Sequence, residues 1–84
     1  MEISCQFSLY LLGPAAIGPA LERALDELDR AKLTYEVGNM STQCSGELQA
    51  VLQGLGAAFA RMSETGPTVL VATISNACPV APAE

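Results

Sequence analysis

The sequence predicts an α+β domain in which a four-stranded antiparallel sheet carries two helices on one face. Three observations predict it: a strictly alternating apolar and polar run near the start, two segments with apolar residues at helical spacing, and a short strand-like run after each helix. The order is strand, helix, strand, then strand, helix, strand. Two right-handed βαβ units of this kind interleave into one sheet, which is the ferredoxin-like βαββαβ sandwich.

The first half of the chain supplies one such unit. Residues 3–10 predict a strand whose core face is formed by Ile3, Cys5, Phe7 and Leu9. Gly13-Pro14 ends this strand. Gly18-Pro19 is expected to supply the N-cap and first residue of a helix, whose apolar stripe runs from Ile17 to Leu28.

The second half repeats the pattern. Residues 33–37 and 40–44 flank the turn signal Gly38-Asn39 and predict a hairpin. Ser45 is a favourable N-cap for a second helix with apolar residues at helical spacing over 48–62. Gly54 and Gly56 inside that helix each cost about 1 kcal/mol relative to Ala, a cost that close packing on another backbone would explain.

The last strand is expected over residues 68–75 and is apolar on both faces for most of its length, so its second face is expected to be covered as well. Residues 1–79 are expected to form a single domain and residues 80–84 a flexible tail.

Composition excludes several classes of function. The chain has 84 residues, of which 50% are hydrophobic, and a domain of this size is only marginally stable alone. Part of its apolar surface is therefore expected to face a partner chain. Nine acidic against four basic residues disfavour a nucleic-acid partner. The absence of His excludes Ser-His-Asp and Cys-His catalytic sites.

The three cysteines, Cys5, Cys44 and Cys78, form no CxxC pair, so neither a zinc site nor a disulfide framework is expected. Free thiols are typical of a reducing cytoplasm. The start of the chain lacks the basic region of a signal peptide, and no apolar run reaches membrane-spanning length. We expect a cytoplasmic protein with no metal, no cofactor and no membrane insertion.

The uncovered face of the predicted sheet mixes polar and apolar side chains. Thr34 and Glu36 of the second strand are expected to lie there. Beside them are expected alternate residues of the first and last strands of the chain: Ser4, Gln6, Ser8, Tyr10, Val69, Val71, Thr73 and Ser75. A mixed surface of this kind is what a dimer interface enclosing a polar ligand site requires.

Three motifs carry a resemblance to a known family: SxQFSLYxLG at residues 4–13, MST with a following glycine at 40–46, and TISNACP at 73–79. Over residues 3–80 the chain resembles the YkoF-type family that binds thiamine or hydroxymethylpyrimidine. The resemblance implies a non-enzymatic pocket for thiamine or its pyrimidine moiety, and pairing through the open sheet face. Well-known members carry two such domains in one chain, so this single domain implies a homodimer or a homotetramer.

The chain departs from the family pattern at two positions. Leu11 stands where the family usually has Pro, and Pro67 follows Gly66 where members often have His. The first departure affects the exit of the strand near Tyr10, and both bear on ligand specificity more than on fold.

An aminopyrimidine needs donors and acceptors along one edge, and the cationic ring of thiamine is best met by a carboxylate or an aromatic face. The matched motifs and Glu36 supply such groups, so the candidate ligand-binding residues are Gln6, Ser8, Tyr10, Glu36, Ser41, Thr42, Thr73, Ser75 and Asn76.

Several of these residues also have a purely structural interpretation. Tyr10 can pack at an interface, Glu36 can be a solvated strand charge and Asn76 can close a turn. Cys78 is better interpreted as a packed thiol than as a nucleophile, because no His or Lys partner lowers its pKa.

The sequence therefore predicts a non-enzymatic binding protein that acts as a carrier or accessory in vitamin B1 uptake or salvage, with a functional link to a vitamin transporter. Two alternatives stay open. One is a small oligomeric regulator or structural module for another small molecule. The other is a cofactor-free enzyme, for which the open face offers only hydroxyls, amides and Glu36.

Overall fold

The computed structural model describes residues 1–77, which form six elements. In chain order they are β1 (Glu2–Leu11), α1 (Ile17–Arg30), β2 (Thr34–Val37), β3 (Thr42–Glu47), α2 (Leu48–Ser63) and β4 (Thr68–Ser75). The strands form one antiparallel sheet in the order β2-β3-β1-β4, with both helices packed on one face. The predicted ferredoxin-like sandwich is confirmed. The predicted tail, the predicted domain end at residue 79 and Cys78 lie outside the described residues.

Strand β1 lies at the centre of the sheet and supplies its main contribution to the core. Its odd-numbered residues from Ile3 to Leu9 face the helices and are buried, as the alternation predicted. The two helices meet them with small and aliphatic side chains, and Ile17, at the exposed first turn of α1, stays outside the core. The buried residues contributed by the helices are Ala20, Ala24, Leu28, Val51, Leu55, Ala58 and Met62.

The starts of both helices differ from the prediction. Helix α1 begins at Ile17 after Ala16, one residue before the predicted cap at Gly18, and Ala16 provides no side-chain cap. Helix α2 begins at Leu48, and its N-cap is Glu47 rather than Ser45. The Glu47 carboxylate accepts hydrogen bonds from the backbone N–H of Gln49 at 2.9 Å and of Ala50 at 3.3 Å, which satisfies two donors that the helix itself leaves free.

The predicted hairpin is present, with its second strand shifted along the chain. Strand β3 covers Thr42–Glu47 rather than residues 40–44, because it pairs with β1 as far as the pair of Glu2 and Glu47. The connecting loop is closed by a hydrogen bond from the N–H of Gly38 to the carbonyl of Ser41 at 2.8 Å. Strand β4 has the predicted bounds. Neither helix of the described part is long and apolar enough to span a membrane.

Candidate functional site

The face of the sheet opposite the helices is not covered by any described element and carries two rows of polar side chains. The register of the four strands aligns each row from one edge of the sheet to the other, a distance of about 14 Å at the usual strand spacing. One row holds four hydroxyls, from Thr34, Ser45, Ser4 and Ser75. The next row holds a carboxylate, two amides and a hydroxyl, from Glu36, Gln43, Gln6 and Thr73.

These two rows form the floor of an open groove of about 360 Å³, and all eight residues line it. A volume of this order is at the small end of the range for ligand pockets, which suits a compact heteroaromatic molecule. Neighbouring residues of a row lie directly opposite each other on adjacent strands, so a planar ligand can contact groups of two strands at once. The groove is open to solvent because the sheet supplies only its floor.

The other end of the same face is apolar. Tyr10 pairs with Val69 and Ser8 pairs with Val71, and the hydroxyl of Ser8 donates to the carbonyl of Met40 at 3.2 Å. Tyr10, Val69 and Val71 are each 41–56% exposed, and Met40 is 91% exposed. We call these four residues the apolar end of the open face. The second face of β4, which was expected to be covered, is not covered by any element within residues 1–77.

Four of the nine candidate residues lie in the polar groove: Gln6, Glu36, Thr73 and Ser75. Ser8 and Tyr10 lie on the same face, toward its apolar end.

The remaining three lie elsewhere. Ser41 is in the loop between β2 and β3, beside a smaller hollow of about 200 Å³. Thr42 pairs with Phe7 and is buried on the helix side of the sheet. Asn76 follows the end of β4, with its amide nitrogen 3.9 Å from the sulfur of Met1.

The sequence analysis missed four residues of the groove as ligand-binding candidates. Ser4 and Thr34 were expected on the open face but were not counted as ligand groups. Gln43 lay within the predicted third strand but was assigned to no face, and Ser45 was left out because that strand was ended at residue 44. Extending the period-two pattern through Ser45 to Glu47 would have revealed both, since Gln43 and Ser45 then alternate with the buried Cys44.

Below the groove, on the helix side of the sheet, Cys5 and Cys44 form a cross-strand pair of buried free thiols. Burial raises the pKa of Cys5. Burial, followed by the neighbouring Cys5, raises the pKa of Cys44 to about 12. Both thiols therefore stay protonated near neutral pH and are poor nucleophiles. Burial, and next the negative charge of Asp29, also raise the pKa of Tyr35.

The chemistry that the groove offers is hydrogen bonding. Gln6 and Gln43 each present a donor and an acceptor, the hydroxyls present both, and Glu36 presents a carboxylate. Among residues 1–77, no group of three or more His, Cys, Asp or Glu is placed to hold a metal ion. The arrangement suits recognition of a small polar ring by its edge.

Known structures resemble this fold over most of its length. A domain of unknown function DUF77 from Bacillus cereus aligns with a TM-score of 0.79 and 21% identity, covering 88% of this chain and 74% of that one. A hypothetical protein from Methanocaldococcus jannascii aligns with a TM-score of 0.83 and 18% identity, covering 94% and 84%. These likenesses show the fold.

A third structure, from Thermotoga maritima, is that of a protein described as a "putative thiamine biosynthesis/salvage protein". It aligns with a TM-score of 0.74 and 16% identity, covering 88% of this chain and 82% of that one. None of the curated protein sequences matches this chain. At the level of families, the sequence matches the YkoF-related family over residues 2–81, which is nearly its whole length. The chain therefore belongs to the YkoF-related family.

Proposed function

We propose that this protein binds thiamine or its hydroxymethylpyrimidine moiety, without transforming it, in a pocket that forms where the open sheet faces of two copies meet. The observation that carries the proposal is the row of Glu36, Gln43, Gln6 and Thr73 across the floor of the groove. The family match and the thiamine-related description of the Thermotoga maritima structure support the choice of ligand.

The two amides at the centre of the row suit an aminopyrimidine. Gln6 and Gln43 lie directly opposite each other on β1 and β3, so their Cβ atoms are about 5 Å apart. Each amide can donate one hydrogen bond and accept another. The amino group and the ring nitrogens of an aminopyrimidine present the complementary pattern along one edge.

Glu36 occupies the end of the same row, one strand beyond Gln43. A carboxylate there attracts a permanent cation such as the thiazolium ring of thiamine. Hydroxymethylpyrimidine lacks this cation, so its binding depends on the amides and hydroxyls alone. A comparison of the two ligands therefore separates the contribution of Glu36 from that of Gln6 and Gln43.

A second copy of the chain would supply the missing wall. Ligand pockets usually bury most of the ligand surface, whereas the groove of one copy offers only a floor. Tyr10, Met40, Val69 and Val71 are apolar and exposed at the other end of the same face, and contact between two such ends would bury them. In this arrangement the polar rows of the two copies enclose the ligand, in a homodimer or in a homotetramer built from two dimers.

In the cell, such a protein would act as a cytoplasmic carrier or accessory in vitamin B1 uptake or salvage, functionally linked to a vitamin transporter. Reversible capture needs no covalent step, which agrees with the protonated state of Cys5 and Cys44.

The first test is isothermal titration with thiamine and, separately, with hydroxymethylpyrimidine, with the oligomer mass measured by light scattering on the same sample. We expect saturable binding by an oligomer. Gln6→Ala should abolish binding and preserve the mass, because it removes a central amide. Gln53→Ala, which removes an exposed amide on α2 in the opposite layer, is the matched control and should bind like the parent. Unchanged binding by Gln6→Ala would show that the site is wrongly assigned.

The second test concerns the partner wall. Val71→Lys places a charge at the apolar end of the open face and should reduce the mass to that of a monomer and weaken binding. Leu52→Lys makes the same change at an exposed apolar position of α2 and should leave the mass unchanged. A Val71→Lys protein that keeps both its mass and its affinity would contradict pairing through this face. A folded oligomer that binds neither ligand would assign the groove to another small molecule.

A further inference from the structure

The three arginines of this protein are engaged on the helix layer. Arg23 donates to the hydroxyl of Thr65 at 2.7 Å, and the guanidinium groups of Arg30 and Arg61 lie 3.1 and 3.4 Å from the carboxylate of Glu27 between the helices. Lys32 is in the turn between α1 and β2. None of the four Lys and Arg residues of the chain lines the groove.

The N-terminal ammonium and the N-termini of the two helices also provide no positive charge to a ligand in the groove. The N-terminal ammonium lies 3.7 Å from a carboxylate oxygen of Glu47. The same carboxylate accepts hydrogen bonds from the N–H groups of Gln49 and Ala50 at the start of α2, which could otherwise bind an anion. The N-terminus of α1 belongs to the helix layer, and its first residues are not part of the groove lining.

Among the residues that line the groove, Glu36 is the only Asp, Glu, Lys or Arg. If a second copy closes the pocket with the same face, it adds another Glu36 carboxylate and again no cation. Two negative charges in a partly desolvated pocket act on any charged ligand, because interactions between charges strengthen as water is excluded. Such a pocket attracts cations and repels anions.

We infer that the groove selects the unphosphorylated form of its heteroaromatic ligand and discriminates against its phosphate esters. A phosphate monoester carries a charge of about −1.5 to −2 near neutral pH and is normally held by Arg, Lys or a free helix N-terminus. The groove provides none of these and opposes the ester with Glu36. The inference rests on the proposed function and adds to it the chemical state of the ligand.

The test compares thiamine with thiamine monophosphate by titration of the full chain at low salt. We expect the phosphate ester to bind at least about tenfold more weakly, the equivalent of about 1.4 kcal/mol. Raising the ionic strength to about 1 M, where the screening length falls to about 3 Å, should reduce the difference in affinity between thiamine and thiamine monophosphate.

Glu36→Gln tests the source of the discrimination. It should weaken the binding of cationic thiamine more than that of neutral hydroxymethylpyrimidine, and it should reduce the penalty on the phosphate ester. Glu22→Gln makes the same change in net charge on an exposed position of α1, and should alter none of these affinities. If both variants change the affinities equally, the net charge of the protein and not the groove is responsible, and the inference fails.

The remaining outcomes separate the inference from the proposed function. Equal affinity for thiamine and its phosphate would overturn the inference and leave the proposed function standing. Tighter binding of the phosphate that is lost in Lys32→Gln would also overturn it, since Lys32 would then reach the ligand. Failure to bind thiamine, hydroxymethylpyrimidine and the phosphate alike would overturn the proposed function itself.

Discussion

Two glycines in helix α2 provide a matched pair of substitutions. A Cβ atom at Gly54 would lie 2.7 Å from Cδ1 of Leu33, which is too close for two carbon atoms. It would also lie 3.4 Å from side-chain carbons of both Ala31 and Leu28. A Cβ atom at Gly56 would meet nothing within 4 Å. Close packing therefore explains Gly54, although against side chains rather than against another backbone as predicted, and it does not explain Gly56.

The expected free energies follow from this difference. Replacing Gly by Ala within a helix stabilises it by about 1 kcal/mol, since Ala loses less backbone entropy on folding. At Gly56 nothing opposes this gain, so Gly56→Ala should stabilise the protein by about 1 kcal/mol. At Gly54 the added methyl group must displace the buried side chain of Leu33, and overpacking of this kind costs about 1–3 kcal/mol. Gly54→Ala should therefore range from neutral to about 2 kcal/mol destabilising.

Urea unfolding followed by circular dichroism measures both effects, at one fixed protein concentration because the stability of an oligomer depends on it. Gly56→Ala should raise the midpoint, and Gly54→Ala should leave it unchanged or lower it. Shortening the neighbour in the double variant Gly54→Ala/Leu33→Val should recover part of the loss. If Gly54→Ala raises the midpoint as much as Gly56→Ala does, Leu33 moves aside without cost and the packing argument is refuted.

Three further predictions concern individual contacts. Glu47→Ala should lower the free energy of unfolding by about 1 kcal/mol in the same urea assay, because α2 loses its N-cap; no change would mean that water replaces the carboxylate without cost. The thiol of Cys44 should lower the free energy of unfolding progressively as the pH rises from 9 to about 12. The unfolded chain releases this proton near pH 9, whereas the folded chain releases it only near pH 12. Unfolding measured across this range should show a shallower decline in Cys44→Ala, and an identical decline would assign the effect to other groups. Tyr35→Phe should change the free energy of unfolding by less than about 0.5 kcal/mol, because the bond of its hydroxyl to Asp29 is exposed and 3.4 Å long; a larger loss would show that this contact matters.

The strands with a strict period of two were predictable from sequence. In β1 the alternation from Ile3 to Leu9 is unbroken and stops at Gly13-Pro14, so both its position and its buried face were predicted. The bounds of β4 were also predicted, because Gly66-Pro67 precedes it and β-branched residues fill it. The candidate residues on these two strands, Gln6 and Thr73 among them, lie in the groove for the same reason.

The end of β3 could not be predicted with local rules. Ser45 suits a helix N-cap as well as a strand, and local propensity favours the cap. Two tertiary facts decide otherwise: β3 continues to pair with β1 up to Glu47, and Glu47 caps the helix. The same register turns Thr42 toward Phe7 on the helix side. The site residues Gln43 and Ser45 were missed because a strand ended at residue 44 was too short for its alternation to assign a face.

The position of Val69 and Val71 on the open face of the sheet was predicted, but what covers them was not. These exposed apolar residues indicate a surface that a partner buries, but they do not identify that partner. In the fold, β4 is an edge strand whose open face is not covered by any part of residues 1–77.

The central strand β1 has a consequence for the engineering of this protein. Its odd-numbered residues build the core and its even-numbered residues build the groove, so folding and ligand choice are encoded on alternate positions of one ten-residue segment. Substitutions at positions 4 and 6 can alter the ligand while the packed layer stays intact. Deleting the residue between these positions would exchange the two faces beyond the deletion, bringing the amide of Gln6 into the core and Phe7 into the groove. The selectivity of the groove can thus be redesigned by replacing side chains on this strand, but not by changing its length.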